Sequence, residues 1–259
     1  MSKPRIDELV KGLDIIARRF LAYKKLSDVY WATSGFLIIY VLLVFIDHFI
    51  SFNKAYISIL EYLTGFIGST SIVILTGTLL SRINSHIEMS KLFHSQLGDI
   101  LKIIREEESI DLVENINILL GVNRFPLEYV PAILIPAYIS LLIDLCWLKI
   151  LFVIIFIAID VLTLYVGISK FNLHIVLENK IFNNIVELTR LDLEMQYKGC
   201  VFNILEALLS IVSLSLFLVF KLYKLDNLLN NHIDQHRIFY RELKIKILRK
   251  KQTNDYIII

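Results

Sequence analysis

Histidine is scarce in this chain, six in 259 residues, and three of the six stand in one recurring setting. Residues 81 to 93 read SRINSHIEMSKLF, 169 to 182 read SKFNLHIVLENKIF, and 227 to 239 read NLLNNHIDQHRIF. All share Asn, any residue, His and Ile, then a basic residue, Leu or Ile, and Phe. The polar members are Asn84 and His86, Asn172 and His174, and Asn231 and His232. An imidazole beside a carboxamide can bind a metal or carry a proton near neutral pH, and a ring of histidines at a channel mouth would use that chemistry. The alternative is that Asn and His hydrogen-bond between neighbouring helices and fix their register, as one buried polar residue does in a coiled coil. The structural role is the expected one, with no metal ligand and no cofactor assigned. His232 and His236 lie one helical turn apart, a spacing that suits a shared metal, but no glutamate follows the first as in HExxH; a solvated or inter-helix role is expected for them.

A second set of chemically competent residues lies inside apolar segments, where ionisable groups are costly and mark pathways by default. Asp160 sits in the middle of ILFVIIFIAIDVLTLYV with no basic residue in that run. In lipid it must be protonated, paired, or turned to a polar cavity. Glu206 lies a few residues into the last apolar segment, while Asp47 and Asp144 close two others and can reach water. Asp160 and Glu206 are candidates for one conduit; the plainer reading has Asp160 hydrogen-bonded to a neighbouring helix.

These residues need membrane helices to position them. The chain is 56% hydrophobic with a mean hydropathy of +0.64, above the roughly 45–50% apolar content of soluble domains. Stretches near the roughly 20 apolar residues that cross a bilayer occur at 29–50, 62–80, 129–147, 150–168 and 201–220. An all-α, multi-pass membrane bundle of five spans is therefore expected, in the cell membrane, with a tight turn at Trp147 and Lys149 between the third and fourth. Gly65 and Ser69 have the small-residue spacing of close helix packing, and Pro131 and Pro136 can kink the third segment.

Beyond the spans the apolar pattern turns heptad. Ile83, Ile87, Ser90, His94, Leu97, Leu101 and Ile104 form one seam, and Leu225, Leu229, His232, His236, Phe239 and Leu243 a second. Leu173, Leu177, Ile181, Ile185 and Leu188 make a looser third. Membrane helices that continue into water as rods are expected, packing as one bundle. The organisation is an amphipathic arm (1–28), a hairpin plus rod (29–107), a connecting helix and loop (108–128) ending at Gly121, a second hairpin plus rod (129–198), and a last span with a basic helical tail (199–259). The arm, with Ile6, Leu9, Leu13, Ile16 and Phe20 on one face, suits a helix in the lipid interface. Both chain ends are basic. Five crossings would separate them, so either the positive-inside rule is violated or one segment is re-entrant. The third motif copy raises the same conflict, because it should then point opposite to the first two.

Net charge is only +2, and Cys146 and Cys200 have no zinc-site spacing, so neither bulk-charge nucleic-acid binding nor a thiolate metal site is indicated. There is no nucleophile elbow, phosphate loop, HExxH or dinucleotide fingerprint, and no enzymatic activity is expected.

Five apolar helices, long amphipathic extensions after Leu80, Ile168 and Phe220, and small size resemble the polytopic membrane subunit of type IV secretion systems and its archaeal Ced-type DNA-import counterpart. That resemblance implies a non-enzymatic conduit or platform with small membrane subunits and a separate ATPase as partners, and DNA as cargo. It transfers no functional residue. The runner-up is a stand-alone ion channel or small-solute transporter using Asp160.

Overall fold

The computed structural model describes residues 11–12, 14–15, 30, 32–35, 37–40, 42–43, 54–104, 110–143, 146–189, 199, 203–213 and 216–252. Among them the chain is all-helical. Six α-helices have defined bounds: α1 Lys54–Ile104, α2 Ile110–Leu120, α3 Leu134–Leu142, α4 Cys146–Thr189, α5 Ile204–Val212 and α6 Leu216–Gln252, with a 3-10 segment Leu127–Ile133 leading into α3. The described residues of 30–43 are helical as well.

The three long helices are continuous where apolar span gives way to heptad pattern. By the usual helical rise α1 is roughly 76 Å long, α4 roughly 66 Å and α6 roughly 55 Å, well beyond a hydrocarbon core of about 30 Å. Two stretches, Tyr62–Asp99 in α1 and Trp147–Glu187 in α4, are long and apolar enough to cross a bilayer, and Leu127–Leu142 is a shorter apolar helix. Ile59, Leu63, Phe66 and Ile74 on α1, with Ile150, Leu151, Leu162 and Tyr165 on α4, keep their side chains exposed, an apolar surface that water would disfavour.

Neighbouring contacts fix the directions. Segment 30–43 runs antiparallel to α1, since Leu37 lies against Gly68 and Tyr40 against Gly65. The 3-10 segment and α3 also run antiparallel to α1, with Val130 against Gly77 and the Tyr138 ring stacked on Phe66 at 5.1 Å. α4 is parallel to α1: Asp160 meets Thr76, Leu80 meets Gly167, and Glu178 meets Ser90. α6 is parallel to both, because Asp226 pairs with Arg82, His232 lies beside His86, and Tyr240 beside Phe93. All three rods thus leave the apolar region in one direction.

The seams on α1 and α6 pack as their spacing predicts: Ile83, Ile87, Leu97, Leu225, Leu229, Phe239 and Leu243 are all buried. On α4 the seam holds in part: Leu177, Ile181 and Ile185 are buried as expected, Leu173 is exposed, and the buried face also carries Phe171, His174 and Glu178.

The last apolar segment is divided. Asn203 and Glu206 form a reciprocal capping box at the start of α5, which ends at Ser213; the Ser213 hydroxyl then accepts the Phe217 N–H at 3.0 Å to begin α6. At nine residues, α5 is roughly 14 Å long. The connecting helix occupies its expected place, closing on Gly121. Described arm residues contact the rods: Asp14 accepts from Lys244 at 2.7 Å and from the Tyr240 hydroxyl, and Gly12 lies against Gln96.

Candidate functional site

Where the parallel rods come together, five histidines, 86, 94, 174, 232 and 236, lie in one buried cluster around Glu178. The helical repeat explains the convergence. His174 and Glu178 are four apart on α4, His232 and His236 four apart on α6, and His86, Ser90 and His94 continue at steps of four along α1, so each set lies on one face.

Four imidazole Nε2 atoms turn toward the Glu178 carboxylate. His232 Nε2 lies 2.8 Å and His236 Nε2 3.0 Å from Oε2, His174 Nε2 lies 3.1 Å from Oε1, and His86 Nε2 is 3.9 Å from Oε2. The Ser90 hydroxyl donates to Oε1, and His94 turns Nδ1 to the Ser90 carbonyl oxygen at 2.8 Å. His232 and His236 bring their Nε2 atoms within 3.2 Å of each other. Glu178, His86, His94 and His174 are fully buried, and His236 is 5% exposed. Burial, outweighing the pull of Glu178, pushes the His236 imidazole down to about 4, leaving it neutral at physiological pH with a nitrogen lone pair to offer.

Aromatic side chains close the centre on both sides. Phe171 lies edge-on to His86 and His232, with ring centroids 6.1 and 5.6 Å away. Phe182 does the same to His94 and His236 at 5.2 and 5.1 Å. Phe93, Phe182 and Phe239, the final residues of the three motif copies, are all buried, and Phe182 packs on Phe239 at 4.3 Å. One side is covered by the loop after α2: Asn84 exchanges two hydrogen bonds with the Phe125 backbone at 2.8 and 2.9 Å, and Lys91 donates to the Val122 carbonyl at 2.6 Å.

The motif asparagines therefore do different work from the histidines. Asn84 holds a loop. In the third copy the asparagine in register, two residues before His232, is Asn230; Asn231 is exposed. Asn230 accepts from Arg82 Nη2 at 2.7 Å, joining the buried Arg82–Asp226 ion pair about one turn below the histidines. Asn172, half-buried, approaches Gly199. Glu178 was not anticipated; an acidic residue in an apolar stripe reads as a break in the seam.

Of the apolar-segment carboxylates, Asp160 is fully buried and accepts from the Thr76 hydroxyl at 3.3 Å. Glu206 is spent on the α5 cap and on Lys221. Asp47 and Asp144 lie outside the described residues. Between Asp160 and the histidine centre the interior is filled by Leu79, Leu80, Leu164, Ile168, Leu218 and Leu222, all fully or almost fully buried.

The sequence assigns these histidines no metal, but one ligand atom each from His86, His174, Glu178 and His232 lies within 4.8 Å of every other. No protein-family model, no curated protein and no solved structure matches the chain, so the chemistry of the site has to be read from its own geometry.

Proposed function

We propose that the chain is a non-enzymatic, multi-pass membrane subunit whose three parallel rods form a rigid platform on one face of the bilayer, serving a translocation assembly. The observation that carries this reading is that parallel bundle, which joins the arm to the tail through the Asp14–Lys244 pair. DNA as cargo, a separate ATPase and small membrane partners are what the resemblance to Ced-type and type IV secretion subunits adds. The exposed Arg237 and Arg241 on α6 offer a cationic edge, offset by Asp234 and Glu242 beside them. That supports docking of a protein partner more than lining of a DNA channel, which needs an unbroken basic stripe.

The same contacts support a topology that removes the charge conflict. Segment 30–43, α1, the 127–142 helix and α4 make four crossings, and the broken 204–220 stretch is re-entrant, because α5 is too short to cross. Both basic ends then lie on the cytoplasmic face, as the positive-inside rule requires. Reporter fusions after residues 2 and 259 test it: both ends on one side are expected, and opposite sides would restore five crossings.

A stand-alone transporter using Asp160 is the second reading. The apolar plug above Asp160 favours the platform, since an ion would have to part several close-packed leucines to reach the rods. A gentle-detergent pull-down of the tagged chain with mass spectrometry should recover an ATPase and short membrane proteins. Recovery of a defined homo-oligomer that alone conducts ions in liposomes would reject the platform.

A further inference from the structure

We propose that His86, His174, Glu178 and His232, with His236 as a further donor, bind one divalent first-row transition-metal ion that clasps the three rods together.

Three lines of geometry lead there. The first is spacing. Ligands about 2.0–2.1 Å from a common ion stand roughly 2.9 Å apart along octahedral edges and roughly 3.4 Å apart along tetrahedral ones. The carboxylate-to-imidazole separations of 2.8, 3.0, 3.1 and 3.9 Å bracket those edges, and one ligand atom from each of His86, His174, Glu178 and His232 lies within 4.8 Å of every other.

The second is hydrogen-bond arithmetic. An ionised carboxylate offers about four lone-pair sites, and here one hydroxyl and four imidazole nitrogens face it. As a purely proton-bonded network the arrangement conflicts with itself. His232 and His236 both address Oε2 while their Nε2 atoms lie 3.2 Å apart, so two N–H groups would also confront each other. His174, fully buried, points Nε2 at Glu178 along a line too bent for a hydrogen bond, and neither of its ring nitrogens makes one. A fully buried imidazole in that state is costly; a metal at the point where the nitrogens converge supplies the missing partner.

The third is charge. Among the described residues every ion-pair contact to Glu178 comes from an imidazole, with no lysine or arginine among them, and the nearby Arg82 is already matched by Asp226. A buried carboxylate ringed by imidazole nitrogens, with no fixed cation paired to it among the described residues, is a donor set that a dication suits. The donors are imidazole nitrogen and carboxylate oxygen, a set that suits Zn, Fe, Co, Ni or Cu and not the oxygen-preferring Ca or Mg. Phe171 and Phe182 exclude water on either side, and a closed ligand set is the mark of a structural site. Ser90, bonded to Glu178, acts as a positioning residue.

The test uses the full chain in detergent. It is stripped with a chelator, dialysed against Zn(II), Fe(II), Co(II) or Ni(II) alone, and assayed by elemental analysis, X-ray absorption and thermal unfolding. One equivalent of metal per chain is expected, with imidazole scattering from several histidines and a raised unfolding midpoint. The double variant His174→Ala, His232→Ala should lose the metal, and Ser90→Ala should weaken binding by about tenfold, the usual effect of removing a group that orients a ligand. Should the double variant misfold, Glu178→Gln, which keeps the volume, must still lower the affinity, and the imidazole scattering in the wild-type extended fine structure decides whether histidines are ligands. Failure of the wild-type chain to retain any of the four metals, an unmoved midpoint, an oxygen-only coordination shell, or full occupancy in a folded double variant would each overturn the proposal. None of these readouts depends on a translocation partner, so the metal and the platform stand or fall separately.

Discussion

Arg82 and Asp226 are 8% and 2% exposed, and their ion pair ties α1 to α6 just below the histidine centre. Asp226→Ala leaves the Arg82 guanidinium buried in the bundle without its carboxylate, while the Asn230 carbonyl oxygen still receives Nη2 at 2.7 Å. Orphaning one member of a buried pair costs about 3–5 kcal/mol. Replacing both members, Arg82→Met with Asp226→Leu, removes the buried charges together and should be near neutral. The difference between the sum of the single-variant costs and the double-variant cost is the coupling, expected at several kcal/mol. The exchange Asp226→Asn with Asn230→Asp provides a geometric control. Arg82 already reaches Asn230, so moving the acid one turn along α6 should keep most of the stability. Unfolding in a mild-to-denaturing detergent titration, followed by helical circular dichroism, reads each variant, including the singles Arg82→Met and Asp226→Leu that complete the cycle. A single-variant cost below about 1 kcal/mol, the range of exposed pairs, together with negligible coupling, would mean that the rods do not pack in this parallel register.

Gly167 on α4 packs tightly against α1: a Cβ there would meet the Leu80 side chain at 2.1 Å, and Leu80 is fully buried, so Gly167→Ala should destabilise by about 1–3 kcal/mol in the same titration. Asn84→Ala deprives the buried Phe125 backbone of both partners; a loss of about 1–3 kcal/mol and faster hydrogen exchange at the Phe125 amide are expected, and unchanged exchange would show that the loop is held by other contacts. Asp160→Asn keeps the volume and a carboxamide within reach of Thr76, so stability should change by less than about 1 kcal/mol; cargo translocation by the assembly should survive it, whereas abolished translocation would move Asp160 back into the pathway.

What the sequence made legible follows from what periodicity can and cannot carry. Continuous helices running from an apolar stretch into a heptad rod were readable, because the apolar run and the heptad seam share one helical phase across residues 62–104 and 216–243. The same phase held through Leu177, Ile181 and Ile185 on α4 but misplaced Leu173, because His174 and Glu178 occupy core positions that a search for apolar residues passes over. The shared direction of the rods was not readable, since the interruption between α5 and α6 comes at Ser213, whose hydroxyl accepts the Phe217 N–H, and a serine in a largely apolar run gives no sign of a break. Asn231 was paired with His232 because it is adjacent in sequence, yet helical geometry puts Asn230, not its neighbour, toward Arg82. The histidines stood out as a repeat; that they face one another is a fact about which rods are neighbours, and no single helix encodes it.

The repeat also explains how such a centre can arise from copies of one unit. The motif histidines 86, 174 and 232 come one from each rod, and parallel packing alone brings them together, which by itself would give a register lock. The residues one turn further on decide the chemistry, and there the copies differ: Ser90 on α1, Glu178 on α4 and His236 on α6. Three acids at those positions would place like charges together in a dry core and would repel, while three histidines would leave the centre without a counter-charge. One hydroxyl, one carboxylate and one imidazole make a single anionic ligand, a group that orients it, and an additional nitrogen. A centre that served only to hold register could have stayed symmetric, as its Phe93, Phe182 and Phe239 floor has. The layer that would touch an ion is where the copies differ in ligand chemistry, and it is there that a structural polar layer and a metal clasp part company.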